Sequence, residues 1–150
     1  MVKINKKTIL KFVILVLVVI QFFRIDKATT PVDVTKDFIS VTQPPARVAK
    51  IIQTSCYDCH SHQTNYPWYT NIAPLSWWID HHIEEGREHL DLSNWADYSK
   101  KKADHKLEEF YEEVEEGEMP LGSYTKIHGE AKLSQEDKEV LIAWVKTLRE

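Results

Sequence analysis

Five consecutive residues, Cys56-Tyr57-Asp58-Cys59-His60, restrict this chain more than any other segment. A C-x-x-C-H run is the attachment signal for c-type haem. Its two thiols add across the haem vinyl groups, and the histidine that follows becomes an axial ligand to iron. On a helix, Cys56, Cys59 and His60 stand at i, i+3 and i+4 and project from one face. Both sulfurs then meet one porphyrin edge while the imidazole reaches over its centre. No other cysteine competes for the role, because the chain has only these two.

Other chemistries use some of the same residues. A redox dithiol sits at a strand-to-helix junction in a βαβ setting, and no strand pattern precedes Cys56. Zinc could take Cys56, Cys59, His60 and His62, but structural zinc sites usually draw two ligand pairs from well-separated segments. One covalent haem c is therefore the expected cofactor, bound through Cys56 and Cys59 with His60 as proximal iron ligand. A haem that forms part of the core predicts a gap beside His60 in the protein part alone.

The N-terminus predicts export. Lys3, Lys6, Lys7 and Lys11 precede an apolar run, and the stretch from Ile9 to Ile25 has the length of a short membrane span, with Lys11 and Arg24 placed to snorkel. A cleavable signal peptide is the rival reading. Its cleavage site wants small residues, whereas Phe22, Phe23 and Arg24 follow the core here and Ala28-Thr29-Thr30 has no A-x-A character. An uncleaved anchor is favoured. The lysines keep its N-terminal end in the cytoplasm, which places the rest on the periplasmic or outer face of a bacterial inner membrane. C-type haem is attached on that side, and free cysteines would oxidise there. A net charge of −4 leaves no basic footprint, so nucleic acid is not an expected partner.

The pattern divides the chain into an anchor (1–25), a linker (26–44) and a haem-binding domain (45–150). Thr29, Thr30, Pro31, Thr35, Thr42, Pro44 and Pro45 interrupt periodicity in the linker and predict a semi-extended stalk. The domain reads as all-α, with about four helices and no sheet. The first begins at Pro45, carries Val48, Ile51 and Ile52, and ends in the pentad. A loop holding Tyr66, Pro67, Trp68 and Tyr69 supplies aromatics to cover an apolar surface. The second helix runs from about Pro74 to His89, with Leu75, Trp78, Ile79, His82 and Ile83 on one face. The third runs from about Ser99 to Glu116, with Leu107, Phe110, Tyr111 and Val114 inward and Gly117 as its stop. Its opposite face, an acidic run over 108–118, is a solvated surface or a docking patch for a basic redox partner. The fourth starts at the cap Ser134 and carries Leu141, Trp144, Val145 and Leu148.

A six-coordinate haem needs a second axial ligand. Apart from Met1 the only methionine is Met119, in the loop beside Pro120, and it is the expected distal ligand. His128, in the loop before the last helix, is the alternative. His82 lies on the inward face of the second helix, His62 is too near His60 to reach the opposite side, and His81, His89 and His105 read as surface residues.

In its order of helix, C-x-x-C-H, helices, Met-Pro and terminal helix, the chain resembles a small class I cytochrome c. More closely it resembles the bacterial haem-binding domain family of short, membrane-anchored proteins. The matching residues run from Cys56 to Ser61, then Asn65, Tyr66, Pro67, Trp68 and Tyr69, with Ile72, Ala73 and Pro74. They continue at Ser76, Trp77 and Trp78, at Glu85, Gly86 and Arg87, and at Gly117, Glu118, Met119 and Pro120. Ser123, Tyr124 and Thr125 follow, and the match ends with residues 128–133. Gly129 stands where proline is expected after the loop histidine, which loosens that loop. The resemblance implies covalent haem at Cys56 and Cys59 with His60 on iron, and it implies no specific reaction. An electron carrier rather than a catalyst is expected. The competing classes are a haem sensor with an open sixth position and a peroxidase with a distal acid–base pair.

Overall fold

A computed structural model describes residues 5–28 and 31–149 of the chain. Lys3, Thr29 and Thr30, which entered the anchor and linker readings, lie outside the described residues. Among the described residues there are eight α-helices, joined by short 3₁₀ turns, and no strand. The all-α expectation holds.

The four expected domain helices are present and their ends follow the capping residues. The first, α3 (Ala46–Ser55), follows Pro45, which is the cap and not the first helical residue. The second, α5 (Leu75–His89), follows Pro74. In the third, α6 (Lys100–Glu116), the Ser99 hydroxyl accepts from the Lys102 amide at one end. Gly117 closes the other end in the left-handed region at φ 85°, a conformation that costs glycine little. The last, α8 (Gln135–Lys146), is capped by Ser134. Two short helices precede and follow α3: α2 (Phe38–Thr42) and α4 (Tyr57–His60). One turn, α7 (Gly122–Thr125), lies between α6 and α8.

The core gathers where α6 packs on α8 and α8 on α3. Val48 and Ile52 of α3, Leu107 and Val114 of α6, and Leu141 and Val145 of α8 are buried there with Leu92 and Trp95. Those on the three helices are the apolar positions that the helical period selects, whereas Leu92 and Trp95 come from the connection between α5 and α6, so burial of one stripe per helix accounts for most of the arrangement.

Three expectations need correction. The stretch read as a stalk holds α2, and Phe38 is 1% exposed at the centre of the core. Its ring stands edge-on to Trp95 at 4.8 Å and to Trp144 at 5.9 Å. The Phe38 amide also donates to the Leu92 carbonyl at 2.8 Å. Most of the threonines and prolines that broke the periodicity do flank α2, but one large aromatic side chain is enough to bring the segment into the domain.

The second correction concerns the anchor. Helix α1 (Lys6–Ile20) stops five residues short of Ile25, at Gln21. Its 15 residues give about 22 Å, against a hydrocarbon core of about 30 Å. No helix among the described residues is long and apolar enough to cross a membrane. None of its side chains is buried. At the stop, the Gln21 side-chain amide turns back to the Leu17 carbonyl and also pairs with the backbone of Ala73, donating at 2.9 Å and accepting at 3.0 Å.

Third, α5 buries Ser76, Ile83 and Gly86, while Leu75 and Trp78 are exposed. The face expected to enter the core instead lines a narrow apolar cavity with Tyr66, Pro67 and Tyr69.

Asp37 caps α2 and is 5% exposed. One of its oxygens accepts both the Ile39 amide, at 3.0 Å, and the Tyr57 hydroxyl, at 2.8 Å. This bond ties the pentad turn to α2. Tyr57→Phe is expected to cost about 1.5–3 kcal/mol in urea unfolding, because it leaves a buried carboxylate one donor short. A loss under about 0.5 kcal/mol would mean that water replaces the donor at no cost.

Candidate haem site

The pentad does not continue α3. Cys56 breaks the helix at φ −120° and caps a fresh turn, α4. Its carbonyl accepts from the Cys59 amide at 3.3 Å and the His60 amide at 2.9 Å. Cys56 therefore stands at the cap, with Cys59 and His60 three and four positions on, which is the spacing the attachment chemistry requires.

Helix α5 crosses α4 at close range. A Cβ built on Gly86 would stand 2.9 Å from the Cys59 carbonyl oxygen and 3.3 Å from its Cβ. A backbone atom cannot swing aside as a side-chain tip can, so the approach depends on glycine. That closeness sets the histidine. His60 Nδ1 lies 2.8 Å from the Gly86 carbonyl and 3.1 Å from the Leu90 carbonyl, both at the end of α5. Carbonyl oxygens only accept, so Nδ1 must carry the proton and Nε2 keeps its lone pair. Burial holds the His60 imidazole below the ordinary histidine value, despite the two carbonyls, and so favours the neutral ring. A neutral ring with Nδ1–H on a backbone carbonyl is the usual form of an iron-ligating histidine.

Burial also acts on the thiols. It pushes Cys56 up to about 12 and Cys59 up to about 11, the latter helped by the Asp58 carboxylate. Neither is the acidic thiolate that a redox dithiol uses. Among the described residues no group of three or more His, Cys, Asp or Glu converges as a metal site. His62 is turned to Asp91, with its Nε2 at 3.1 Å from the carboxylate.

A cleft of about 500 Å³ opens beside the pentad, within the range of cofactor sites. Cys56, Cys59, His60 and Met119 all line it, with Leu90, Phe110, Val114, Leu121 and Leu133 as its apolar wall. The expected gap beside His60 is present. Its polar lining includes Lys106, His89, Glu109 and Glu113. The donor set fits a haem held by two thioethers, one imidazole and one thioether sulfur. Met119 is held by its backbone, whose amide donates to the Glu113 carbonyl at 3.1 Å beyond the end of α6.

His128 is placed elsewhere. It does not line this cleft; one ring nitrogen meets the Tyr69 hydroxyl and the other lies 3.2 Å from Glu130. Its ring also stacks on Tyr124 at 4.4 Å and 18°. His82 does line the cleft, with Nδ1 2.8 Å from the Trp78 carbonyl.

Several contributors carried no signal of their own in the sequence. Arg87 bonds the Ser61 carbonyl and the Thr64 hydroxyl, both at 2.9 Å, and fixes the chain leaving the pentad. Asp58 accepts the Tyr124 hydroxyl at 2.6 Å and the Asn65 amide at 3.0 Å. Gly86 and Arg87 were legible only as part of the Glu85-Gly86-Arg87 text.

A family model described as a haem-binding domain matches residues 15–147. No curated protein and no solved structure matches the chain.

Proposed function

The chain belongs to the haem-binding domain family, and on that premise we propose that it is a membrane-tethered electron carrier holding one covalent c-type haem. Cys56 and Cys59 hold the porphyrin edge, His60 is the proximal ligand and Met119 the distal one. When bound, the haem supplies a one-electron ferrous–ferric couple. The observation that carries this reading is a single cleft lined by both thiols, the His60 ring and the only methionine besides Met1.

The residues of the chain do the holding. Gly86 and Leu90 carbonyls orient the imidazole and keep Nε2 free for the metal. The apolar wall limits water, which favours a stable redox couple over ligand exchange. Glu112, Glu113, Glu115 and Glu116 are exposed on α6 and offer a basic partner protein a docking face beside the cleft. Helix α1, whose apolar side chains from Phe12 to Val19 are all exposed, tethers the domain to the outer face of a bacterial cytoplasmic membrane, the side on which c-type haem is attached. His82 supports a second reading, in which a histidine takes the distal position.

Spectra of protein matured with the haem-attachment machinery test these assignments. The ferric protein is expected to be low-spin with a methionine–iron charge-transfer band, lost in Met119→Ala and kept in His82→Ala. A native low-spin spectrum without that band, turned high-spin in His82→Ala and unchanged in Met119→Ala, would move the ligand to His82. A high-spin haem that takes up carbon monoxide readily would replace the carrier with a sensor, and a haem extracted by acid–acetone would refute covalent attachment.

A further inference from the structure

The anchor helix is not hung on a loose tether. Beyond its end, three side chains bind it to residues 68–78 of the domain. Gln21 makes the paired bonds to the Ala73 backbone. Trp77 Nε1 donates to the Phe23 carbonyl at 2.7 Å. Lys27 Nζ donates to the Thr70 hydroxyl at 2.7 Å and to the Asn71 side chain at 2.8 Å. Around this clamp lies exposed apolar material: Trp68 is 75% exposed, Trp78 47% and Ile72 45%, beside Phe22 at 81% and Phe23 at 64%.

We propose that residues 68–78 form an aromatic collar that seats in the headgroup layer of a lipid bilayer, with α1 inserted in the lipid and the cleft held at a fixed distance above it. The inference rests on the membrane tether proposed above and adds which face of the domain touches lipid. The bonds from Gln21 and Trp77 hold the collar against the end of α1, so the exposed apolar side chains of the two lie side by side and one apolar medium would cover both. Isolated exposed hydrophobics need no explanation, but a contiguous patch of this kind does. Tryptophan, with a large apolar body and one N–H, is the residue most suited to the interface between lipid and water. The collar also answers the shortness of α1: apolar side chains resume at Phe22, Phe23 and Trp68 just past the end of the helix, extending the apolar band toward the domain.

Bromolipid quenching of tryptophan fluorescence, on the full chain in vesicles, tests the collar. The chain has five tryptophans, of which Trp95 is buried and Trp144 packs against the core. Emission in vesicles with brominated acyl chains, divided by emission in unbrominated ones, cancels any haem quenching. The ratio is expected to fall by about two-fold for the native chain. It should return close to one in the triple variant Trp68→Phe, Trp77→Phe, Trp78→Phe, and stay low in Trp95→Phe. Flotation with the vesicles reads the tether separately. A chain that floats but is not quenched overturns the collar and leaves the tether standing, whereas a chain that does not float overturns both. Quenching that survives in the triple variant, or a concentration-dependent dimer that buries Trp68 and Trp77 without quenching, also overturns it.

Discussion

Gly86→Ala is expected to lower the urea midpoint of the protein by the equivalent of about 1–3 kcal/mol and to reduce the yield of haem-loaded protein. Two effects compete at this position. Alanine is the better helix former, worth about 1 kcal/mol in a helix interior. Against it stands a methyl carbon 2.9 Å from the Cys59 carbonyl oxygen. That contact lies below any normal packing distance, and its partner is backbone, so α5 must move off α4. The clash outweighs the propensity. The shift also draws the Gly86 carbonyl from His60 Nδ1, which loosens the imidazole before any haem is bound. Gly122→Ala is the matched control, since a Cβ there meets nothing within 4 Å. Equal stability of the Gly86 and Gly122 variants would mean that the close approach of α5 to the pentad has no energetic weight.

Phe38→Ala is expected to cost about 3–5 kcal/mol, the range for deleting a buried aromatic side chain. For a domain of this size the total stability is about 5–15 kcal/mol, so the loss would take a large share of it. Urea unfolding followed by near-UV dichroism reads the change, because Trp95 and Trp144 both lose their edge-on neighbour. A free stalk would make the substitution nearly silent, within about 0.5 kcal/mol. That result would detach α2 from the domain.

Helix positions were legible because local chemistry dictated them. Ser99, Gly117 and Ser134 each meet a backbone need that few other residues meet as well, and α6 and α8 begin or end on them. The pentad was legible for the same reason. What escaped depended on partners distant in sequence. Phe38 is a single aromatic among threonines and prolines, with no period to declare which way it faces, and only Trp95 and Trp144 decide that. Gln21 ties the end of α1 to Ala73, 52 residues away, while the hydropathy of residues 21–25 argues for continuation. Leu75 and Trp78 fit an inward stripe equally well whether the helix faces a core or a cavity. His128 looked free because its partner Tyr69 lies 59 residues earlier.

Helix α5 joins two of these features in one body. Its first residues follow Ala73, where Gln21 is fastened, and its last carbonyls hold the His60 ring. Fifteen residues of continuous helix separate the two, a strut of about 22 Å with no hinge in it. A displacement of Gln21 is therefore carried along one continuous helix to the carbonyls that orient the His60 ring, so the seat of the N-terminal helix and the seat of the imidazole move as one piece.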